Sequence, residues 1–312
     1  MKAGAQIISE IINEISKVIV GKEDVIKMVM LGILSDGHIL IEDYPGLAKT
    51  LIAKSFAMCL GCDFKRVQFT PDLLPADITG TYVFDQKSAE FFFRPGPIFT
   101  NILLADEVNR APPKTQAALL EAMQEKQVTL EGKTYPLKSP FIVVATQNPI
   151  ELEGTYPLPE AQLDRFLMKI KVGYPTVDQE TEILRRRLFR KRDDVDLRQM
   201  ADPEKVVSLQ KAVEDVYVDD DILRYISEIT HATRRHPKIE MGASPRGSLA
   251  ILKLARAHAL FSGRDYVTPD DVKNVAVPAL CHRIIFKTEY WFRGTTTEAV
   301  IEQILSEIPV PR

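Results

Sequence analysis

The sequence predicts an α/β domain followed by an all-helical domain, and two patterns indicate this. Over residues 1–175, short apolar runs alternate with amphipathic stretches. The runs are apolar throughout, as the strands of a parallel sheet covered by helices on both faces must be. After Gly173-Tyr174-Pro175 the pattern changes to helices. We therefore expect an α/β domain over 1–175 and a helical domain over 176–312, with a linker near Val172–Asp178.

The strands and helices of the α/β half follow from local patterns. The predicted strands are short apolar runs that end at polar or turn residues: His38–Ile41, Ile102–Ala105 and Phe141–Ala145. Between them, Leu51–Leu60 and Lys114–Gln124 have the spacing of amphipathic helices. Strands that alternate with helices in this way form a parallel sheet flanked by helices.

Two further segments interrupt the alternation and are predicted to be hairpins. Thr81–Phe93 has β-forming residues on either side of a polar turn at Asp85–Ser88. Val128–Leu137 has the same arrangement around Glu131-Gly132-Lys133. Because β-forming residues flank turn residues at short range, we expect two β-hairpins inserted into the α/β domain.

The second half of the chain shows two clear helix starts. Ser244-Pro245 and Thr268-Pro269 each place an N-cap residue before a proline at the first helical position. Asp270 and Asp271 then suit the positive end of a helix dipole. These signals support an all-helical second domain.

Composition and charge exclude several classes of protein. Hydrophobic residues make up 45% and charged residues 27%, which excludes a disordered chain. The 40 basic and 43 acidic residues leave a net charge of −3, so nothing favours a nucleic-acid-binding domain. Glu10 and Glu14 interrupt any signal peptide, and no stretch approaches the roughly 18 apolar residues of a membrane helix. With three cysteines, we expect a cytoplasmic protein without membrane insertion.

The segment Glu42–Thr50 has the geometry of a phosphate-binding loop, since a strand precedes it and a helix follows. In such a loop Lys49 reaches the β- and γ-phosphates and the Thr50 hydroxyl meets Mg²⁺. The strict pattern has glycine where this chain has Asp43 and Ala48. Because the Ala48 methyl group is tolerated there only at a negative φ, we expect a negative φ. An ordinary strand–turn–helix with a lysine would show the same features, so this segment alone does not establish a phosphate-binding loop.

Two other strand ends add polar groups of the right chemistry. Ile102–Ala105 ends in Asp106 and Glu107, and Phe141–Ala145 is followed by Asn148. At the carboxyl edge of a parallel sheet, Asp106 would hold Mg²⁺ and Glu107 would orient and deprotonate a water. Asn148 would hydrogen-bond that water or the γ-phosphate. A lysine, two carboxylates and an amide at three strand ends predict a phosphoryl-transfer site.

Six segments carry longer motifs, in this order: Val20–Lys22, Tyr44–Thr50, Leu104–Pro113, Ala145–Pro149, Leu158–Phe166 and Gly242–Arg246. Together they resemble the motifs of the MoxR-type AAA+ ATPases over nearly the whole chain. In that family these motifs are the segment near adenine, the Walker A loop, the extended Walker B, sensor 1, the arginine-finger segment and sensor 2. The resemblance implies an AAA+ P-loop core with two inserted hairpins, and a helical lid.

The resemblance also assigns roles to residues of this sequence. For nucleotide contact it implies Val20, Gly21, Tyr44, Pro45, Gly46, Leu47, Ala48, Lys49, Thr50 and Arg246. For catalysis it implies Glu107, Asn148 and Arg165, and for the metal Thr50 and Asp106. We expect Arg246 to move onto the phosphates when the lid closes. We expect Arg165 to complete the site of an adjacent subunit.

The function implied by the resemblance is ATP hydrolysis with Mg²⁺ that drives chaperone-like remodelling or maturation of partner proteins. The family further implies a ring, expected to be hexameric, and a partner with a von Willebrand factor A (VWA) domain. Two alternatives stay open: a nucleotide-gated scaffold with little turnover, and a nucleic-acid motor subunit. The sequence leaves the client protein and the roles of Arg110 and of the basic cluster at residues 185–192 open.

Overall fold

The computed structural model describes residues 2–149, 154–291 and 294–311. Its strands are β1 (Ile39–Glu42), β2 (Phe64–Gln68), β3 (Gly80–Asp85), β4 (Glu90–Pro95), β5 (Ile102–Asp106), β6 (Gln127–Leu130), β7 (Lys133–Pro136), β8 (Ile142–Gln147), β9 (Met168–Ile170), β10 (Ile239–Met241) and β11 (Ile285–Phe286). Its α-helices are α1 (Lys2–Ser16), α2 (Glu23–Leu34), α3 (Lys49–Cys59), α4 (Pro75–Thr79), α5 (Pro113–Glu125), α6 (Glu160–Leu163), α7 (Val177–Arg190), α8 (Pro203–Glu214), α9 (Asp220–Arg235), α10 (Pro245–Phe261), α11 (Pro269–Leu280), α12 (Thr288–Trp291) and α13 (Thr297–Glu307). None of these described helices is long and apolar enough to cross a membrane.

Five strands form one parallel sheet in the order β2-β5-β8-β1-β9. The central strands β5, β8 and β1 are buried along nearly their whole length, which is why they are continuous apolar runs in the sequence. Helices α1, α2 and α3 pack on one face and α5 packs on the other. The predicted α/β architecture and its three strands are confirmed.

Both predicted hairpins are present. Strand β3 pairs antiparallel with β4, and β6 pairs antiparallel with β7. The two hairpins touch, because the Tyr82 and Tyr135 hydroxyls lie 2.5 Å apart and the Phe93 ring stacks on Tyr135. Phe91 and Phe92 of β4 are at least half exposed, so these two rings are not core residues.

The second half of the chain is helical, with one addition. Ser244 and Thr268 cap α10 and α11 as expected, since their hydroxyls accept hydrogen bonds from the amides of Arg246 and Asp271. The addition is a short antiparallel pair formed by β10 and β11. The lid therefore contains two short strands besides its helices.

Helix α1 connects the two halves of the molecule. Its residues Ile8, Ile11 and Ile15 are fully buried, and the helix contacts both α3 and α10. One apolar cluster extends from these residues through one face of the sheet to α10 and α11. Because this cluster runs across both halves, the expected domain boundary at residue 175 stays a prediction.

Helix α7 exposes most of its side chains. It starts at Thr176, whose capping box with Gln179 fixes the first turn, and none of its residues is buried. Its apolar residues Leu188 and Phe189 are 77% and 90% exposed. Four cations of the basic cluster at residues 185–192 are paired with acidic residues of the same segment, namely Glu182, Asp193 and Asp196.

Candidate active site

The carboxyl edge of the parallel sheet gathers the residues that the strand ends predicted. Strands β1, β5 and β8 run parallel and in register, so their last residues lie side by side. Lys49, Asp106, Glu107 and Asn148 line one open pocket of about 420 Å³ there. The other residues that line it are Pro45, Gly46, Leu47, Ala48, Thr50, Leu51, Arg66 and Gln68. A pocket of this volume is in the range of small-molecule sites.

Lys49 is held inside this pocket. Its Nζ donates a hydrogen bond to the Asp43 carbonyl oxygen at 2.7 Å, and the residue is only 9% exposed. Burial lowers the pKa of the ammonium group, while the nearby carboxylates of Asp106, Asp43 and Glu107 act in the opposite direction. The loop is thus folded around its own cation at the start of α3.

Asp43, which stands where the strict loop pattern has glycine, has a structural role. Its carboxylate accepts hydrogen bonds from three backbone amides: Tyr44 at 2.8 Å, Val172 at 2.7 Å and Gly173 at 2.5 Å. The side chain is buried. It therefore ties the start of the loop to the segment that follows β9, a contact that glycine could not make.

Ala48 has a φ of +57°, so the expectation of a negative φ is wrong. The residue is the N-cap of α3, and the turn from Leu47 into the helix requires the left-handed conformation. The residue is exposed, so we assign the strain to the backbone conformation. A left-handed non-glycine residue costs about 1–2 kcal/mol.

The two acidic residues are engaged by cations and amides. The Arg66 guanidinium donates to Asp106 Oδ2 from Nη2 at 2.6 Å and from Nε at 3.1 Å, while the Thr146 hydroxyl donates to Oδ1 at 2.6 Å. Glu107 Oε2 accepts hydrogen bonds from Gln68 and from Arg110. Arg110, whose role the sequence left open, thus lies against Glu107.

Arg66 and Gln68 are site residues that sequence reasoning missed. They are two positions apart on β2, so both point to the same face of the sheet, and Gln68 pairs in register with Asp106. The two polar residues on either side of the buried Val67 are the signal that would have found them. Only the position of β2 beside β5 makes that spacing meaningful.

The donor groups in this pocket suit a hard divalent cation. Thr50 and Asp106 offer oxygen atoms, and no group of three or more His, Cys, Asp or Glu side chains among the described residues forms a metal cage. Mg²⁺ is usually held in this way, by one or two protein oxygens together with substrate phosphates. The residues present therefore fit Mg²⁺ that arrives with a nucleotide.

The residues expected near adenine lie beside the loop rather than in the pocket. Lys22, next to Gly21, donates to the Tyr174 carbonyl oxygen at 3.0 Å, and the Tyr174 ring stacks on Tyr44 with centroids 5.5 Å apart. Gln179 of α7 donates to the Gly21 carbonyl oxygen. Val20-Gly21, Tyr44 and the start of α7 are thereby brought together, and Tyr174 joins them without having been predicted.

A second pocket lies at the opposite, amino edge of the sheet. It has a volume of about 320 Å³, and its lining includes Arg165, Arg246, Arg283, Asp164 and His38. His38 directly precedes β1, and the segment Leu158–Phe166, which carries Arg165, precedes β9. From His38 to Asp43 the chain advances about 16 Å, at about 3.3 Å per residue. Neither Arg165 nor Arg246 lines the pocket that contains Lys49.

Arg246 lies away from the pocket of Lys49 in this structure, and its expected movement onto the phosphates stays a prediction. Ser244, the N-cap of α10, donates to Asp164 Oδ2 at 3.0 Å, and Arg246 Nη1 lies 4.0 Å from the same oxygen. This contact docks the start of α10 against the segment before β9, at the far edge from the loop. The structure thus brings Arg246 together with Arg165.

Comparisons with known proteins agree with both halves of this description. A model of the ATPase family associated with various cellular activities (AAA) matches residues 38–168, and a model of the AAA lid domain matches residues 231–304. The chain is 48% identical over 306 residues to the uncharacterized protein YeaC of Bacillus subtilis, over 98% of this chain and 95% of that protein. It is 43% identical over 310 residues to the chaperone MoxR1 of Mycobacterium tuberculosis, over 96% of this chain and 81% of that protein. A crystal structure from Cytophaga hutchinsonii, of a protein assigned as an ATPase, matches with a TM-score of 0.93 at 43% identity, over 99% of this chain and 96% of that one.

Proposed function

This chain belongs to the MoxR-type AAA+ ATPases, and from that premise we propose that it hydrolyses ATP with Mg²⁺ to remodel or mature partner proteins. The single observation that carries the hydrolytic part is the pocket that Lys49, Asp106, Glu107 and Asn148 line together. A cation for phosphate, a carboxylate for the metal, a base and an amide are the groups that phosphoryl transfer requires.

The phosphate-binding role falls to the loop. Lys49 exchanges its hydrogen bond to the Asp43 carbonyl oxygen for the β- and γ-phosphate oxygens. The residues from Tyr44 to Thr50 surround the phosphates, and Val20-Gly21 lie against the adenine. Thr50 and Asp106 would hold Mg²⁺, and the ion would neutralise charge on the phosphates. The Arg66 guanidinium occupies Asp106 Oδ2, so it would compete with the metal for that oxygen.

Glu107 is the general base of this proposal. Its backbone amide donates to the Thr146 hydroxyl, and its carboxylate is held by Gln68 and Arg110. These contacts fix the carboxylate beside the pocket, where it orients the attacking water and takes its proton. Asn148 hydrogen-bonds that water or the γ-phosphate.

Arg165 and Arg246 act on the nucleotide of an adjacent subunit. Both line the pocket at the amino edge of the sheet, away from Lys49 of their own chain. The Nε of Arg165 is buried and makes no hydrogen bond within the described part of the chain. Because Arg165 also lines this open pocket, its guanidinium supports a role that a partner completes, as an arginine finger is.

A ring of subunits, which we take to be a cytoplasmic hexamer, follows from this division of the site. The exposed apolar residues of α7, including Leu188 and Phe189, support self-association, since such a patch is costly in a monomer. The name of the chaperone MoxR1 supports a remodelling role. We propose a protein with a VWA domain as the partner, on the family resemblance alone.

Steady-state release of phosphate from ATP tests this function. We expect turnover by the wild-type protein, unchanged binding but little turnover for Glu107→Gln, and loss of binding for Lys49→Ala. The matched control is Lys54→Ala, a lysine of the same helix α3 that does not line the pocket. A wild-type rate no higher than that of Glu107→Gln, in assembled protein, would make the chain a nucleotide-gated scaffold.

A further inference from the structure

The segment that carries Arg165 is held chiefly by one residue of the lid. Arg283 follows α11, and its side chain is 3% exposed. Its Nε donates to Asp164 Oδ1 at 2.7 Å, and its Nη2 donates to the carbonyl oxygens of Asp164 at 3.1 Å and Phe166 at 2.5 Å. These two carbonyl groups lie on either side of Arg165 in the chain. The lid thus holds the backbone on both sides of the arginine finger.

All five donors of the Arg283 guanidinium are used. Besides the three bonds above, Nη1 donates to the carbonyl oxygens of Leu167 and Ala279. Burial lowers the pKa of this guanidinium, and the hydrogen bond to the Asp164 carboxylate acts in the opposite direction. Arginine has five donors in a rigid plane, whereas lysine has three on a flexible stem. No other side chain could make the same set of contacts.

Two further lid residues bind the same segment. His282 Nε2 lies 3.1 Å from the Phe166 carbonyl oxygen, and it must be the protonated nitrogen because its partner is an acceptor. Ser244 donates to the second oxygen of Asp164. Within the core, Phe166 is buried, and backbone amides of the segment donate to the carbonyl oxygens of Glu160, Gln162, Leu163 and His38.

The contrast with Arg165 itself indicates what this arrangement does. Arg283 is fully bonded and buried, while Arg165 has a buried Nε without a hydrogen-bond partner among the described residues. The neighbouring backbone is therefore fixed and the finger is left with an unused donor. A backbone held in place beside a guanidinium with an unused donor is the arrangement that a pre-organised transition-state contact needs.

We propose that Arg283 is a positioning residue for Arg165, so that the lid of one subunit sets the rate of ATP hydrolysis in its neighbour. This inference rests on the proposed function, in which Arg165 acts on the neighbour's nucleotide. Arg283 touches no nucleotide in this scheme. It acts by holding the carbonyl groups of Asp164 and Phe166, and through them the direction of the finger.

The test compares two lysine substitutions in the lid of the full-length protein. Arg283→Lys keeps the charge but loses several of the five bonds. Arg264→Lys is the matched control, since Arg264 also pairs with a buried lid carboxylate, Asp271, but contacts nothing near Arg165. We expect kcat to fall about 10- to 100-fold for Arg283→Lys with KM for ATP unchanged, because small displacements of a catalytic group have effects of this size. Arg264→Lys should keep the wild-type kcat.

A double-variant cycle separates positioning from general damage. Arg165→Ala should lower kcat about 10³-fold, and Arg283→Lys should add nothing to it, because its effect passes through the missing side chain. Additive losses, or a wild-type kcat for Arg283→Lys beside a slow Arg165→Ala, would overturn the positioning role. A wild-type kcat for Arg165→Ala would instead overturn the role of the finger in the proposed function.

A second variant keeps the proposal testable if Arg283→Lys does not assemble. Asp164→Asn removes the charge from the partner of Arg283 but leaves the backbone carbonyl contacts and the side-chain shape intact. We expect a smaller fall in kcat, about threefold to tenfold, again absent in the Arg165→Ala background. An equal fall in both backgrounds would contradict the proposal.

Discussion

The two edges of the parallel sheet carry opposite chemistry. At the carboxyl edge, the pocket of Lys49 contains the acidic pair Asp106 and Glu107. At the amino edge, the pocket contains Arg165, Arg246 and Arg283 with Asp164 as the acid that binds them. In the proposed function, the first edge binds the metal and activates water, and the second supplies the planar cations that stabilise phosphoryl transfer. On that proposal, a single chain holds two halves of a site on opposite sides of itself.

This difference is best tested by mixing subunits with defects at opposite edges. Arg165→Ala should bind ATP normally and hydrolyse it about 10³-fold more slowly, because the cation for the neighbour's phosphates is lost. Lys49→Ala lacks the phosphate cation but keeps its finger. Co-assembled rings of the two variants should recover phosphate release above either variant alone. Mixed rings with no recovery would mean that both edges serve the same subunit.

We also expect a pH dependence of stability that comes from the amino edge, because two buried histidines lie there. Burial lowers the pKa of His38 to about 4, and it lowers the pKa of His282 well below the usual value. His38 Nδ1 accepts from the Val143 amide, and Nε2 donates to the Met123 carbonyl oxygen, so the neutral ring is required.

For His38 the folded pKa is below the unfolded value of about 6.5, so the unfolded chain binds more protons between these values. The stabilising contribution is present above about pH 6.5 and is lost as the pH falls toward 4. The loss is up to about 3 kcal/mol of unfolding free energy. Urea denaturation at pH 7 and pH 5 measures the larger part of this loss, and His38→Gln is expected to lose the His38 share of the pH dependence while the share of His282 stays. An unchanged dependence in His38→Gln would place its origin elsewhere.

Substitution of Arg246 is expected to have the next smaller effect on kcat. It tests whether Arg246 acts on the nucleotide of its own subunit or on that of the neighbour. If Arg246 serves the neighbour, Arg246→Ala should lower kcat about 10- to 100-fold and be rescued by co-assembly with Lys49→Ala. If it closes onto its own nucleotide, the mixed rings should not recover. Phosphate release from mixed rings at several ratios distinguishes the two, and Arg256→Ala, on the same helix and paired with Glu214, is the control.

Sequence patterns predicted the centre of the fold better than its borders. Strands β1, β5 and β8 are buried and therefore apolar, so their runs are visible in the sequence. Strand β2 carries Lys65, Arg66 and Gln68 because it lies at the border of the sheet, and β9 has only three residues. Neither has the pattern of a buried strand. The site residues Arg66 and Gln68 were missed together with their strand.

The positions of site residues were predictable where they depend on the order of the strands. They were not predictable where they depend on how the lid packs against the α/β half. Lys49, Asp106 and Asn148 converge because parallel strands end at one edge. The place of Arg246 depends on the contact between Ser244 and Asp164, about eighty positions apart in the chain. No local pattern encodes that contact.

Arg66 should control how easily the carboxyl edge takes up its metal. Its guanidinium makes two hydrogen bonds to Asp106 Oδ2 and so competes with a cation for that oxygen. Arg66→Gln removes the competing charge, and we expect the Mg²⁺ concentration for half-maximal ATPase activity to fall about threefold to tenfold. Lys65→Gln, the neighbouring cation on β2 that does not line the pocket, is the control. A rise in the Mg²⁺ requirement would mean that Arg66 assists metal binding.

The smallest expected effect concerns the strain stored at the loop. Ala48→Gly relieves the strain of a left-handed φ of +57°, which stabilises the folded protein by about 1–2 kcal/mol. Glycine also gives the unfolded chain more conformational entropy, which lowers the unfolding free energy by about 0.4–1 kcal/mol. We expect a net gain of about 0.5–1 kcal/mol in unfolding free energy, measured by urea denaturation without nucleotide. The matched control is Ala57→Gly in the interior of the same helix, which should destabilise the protein because its φ is helical and its methyl group is buried. If Ala48→Gly instead destabilised the protein, the left-handed turn would not be the resting conformation of the loop. Since the turn is part of the carboxyl edge alone, this variant should leave the co-assembly of Arg165→Ala and Lys49→Ala subunits unchanged.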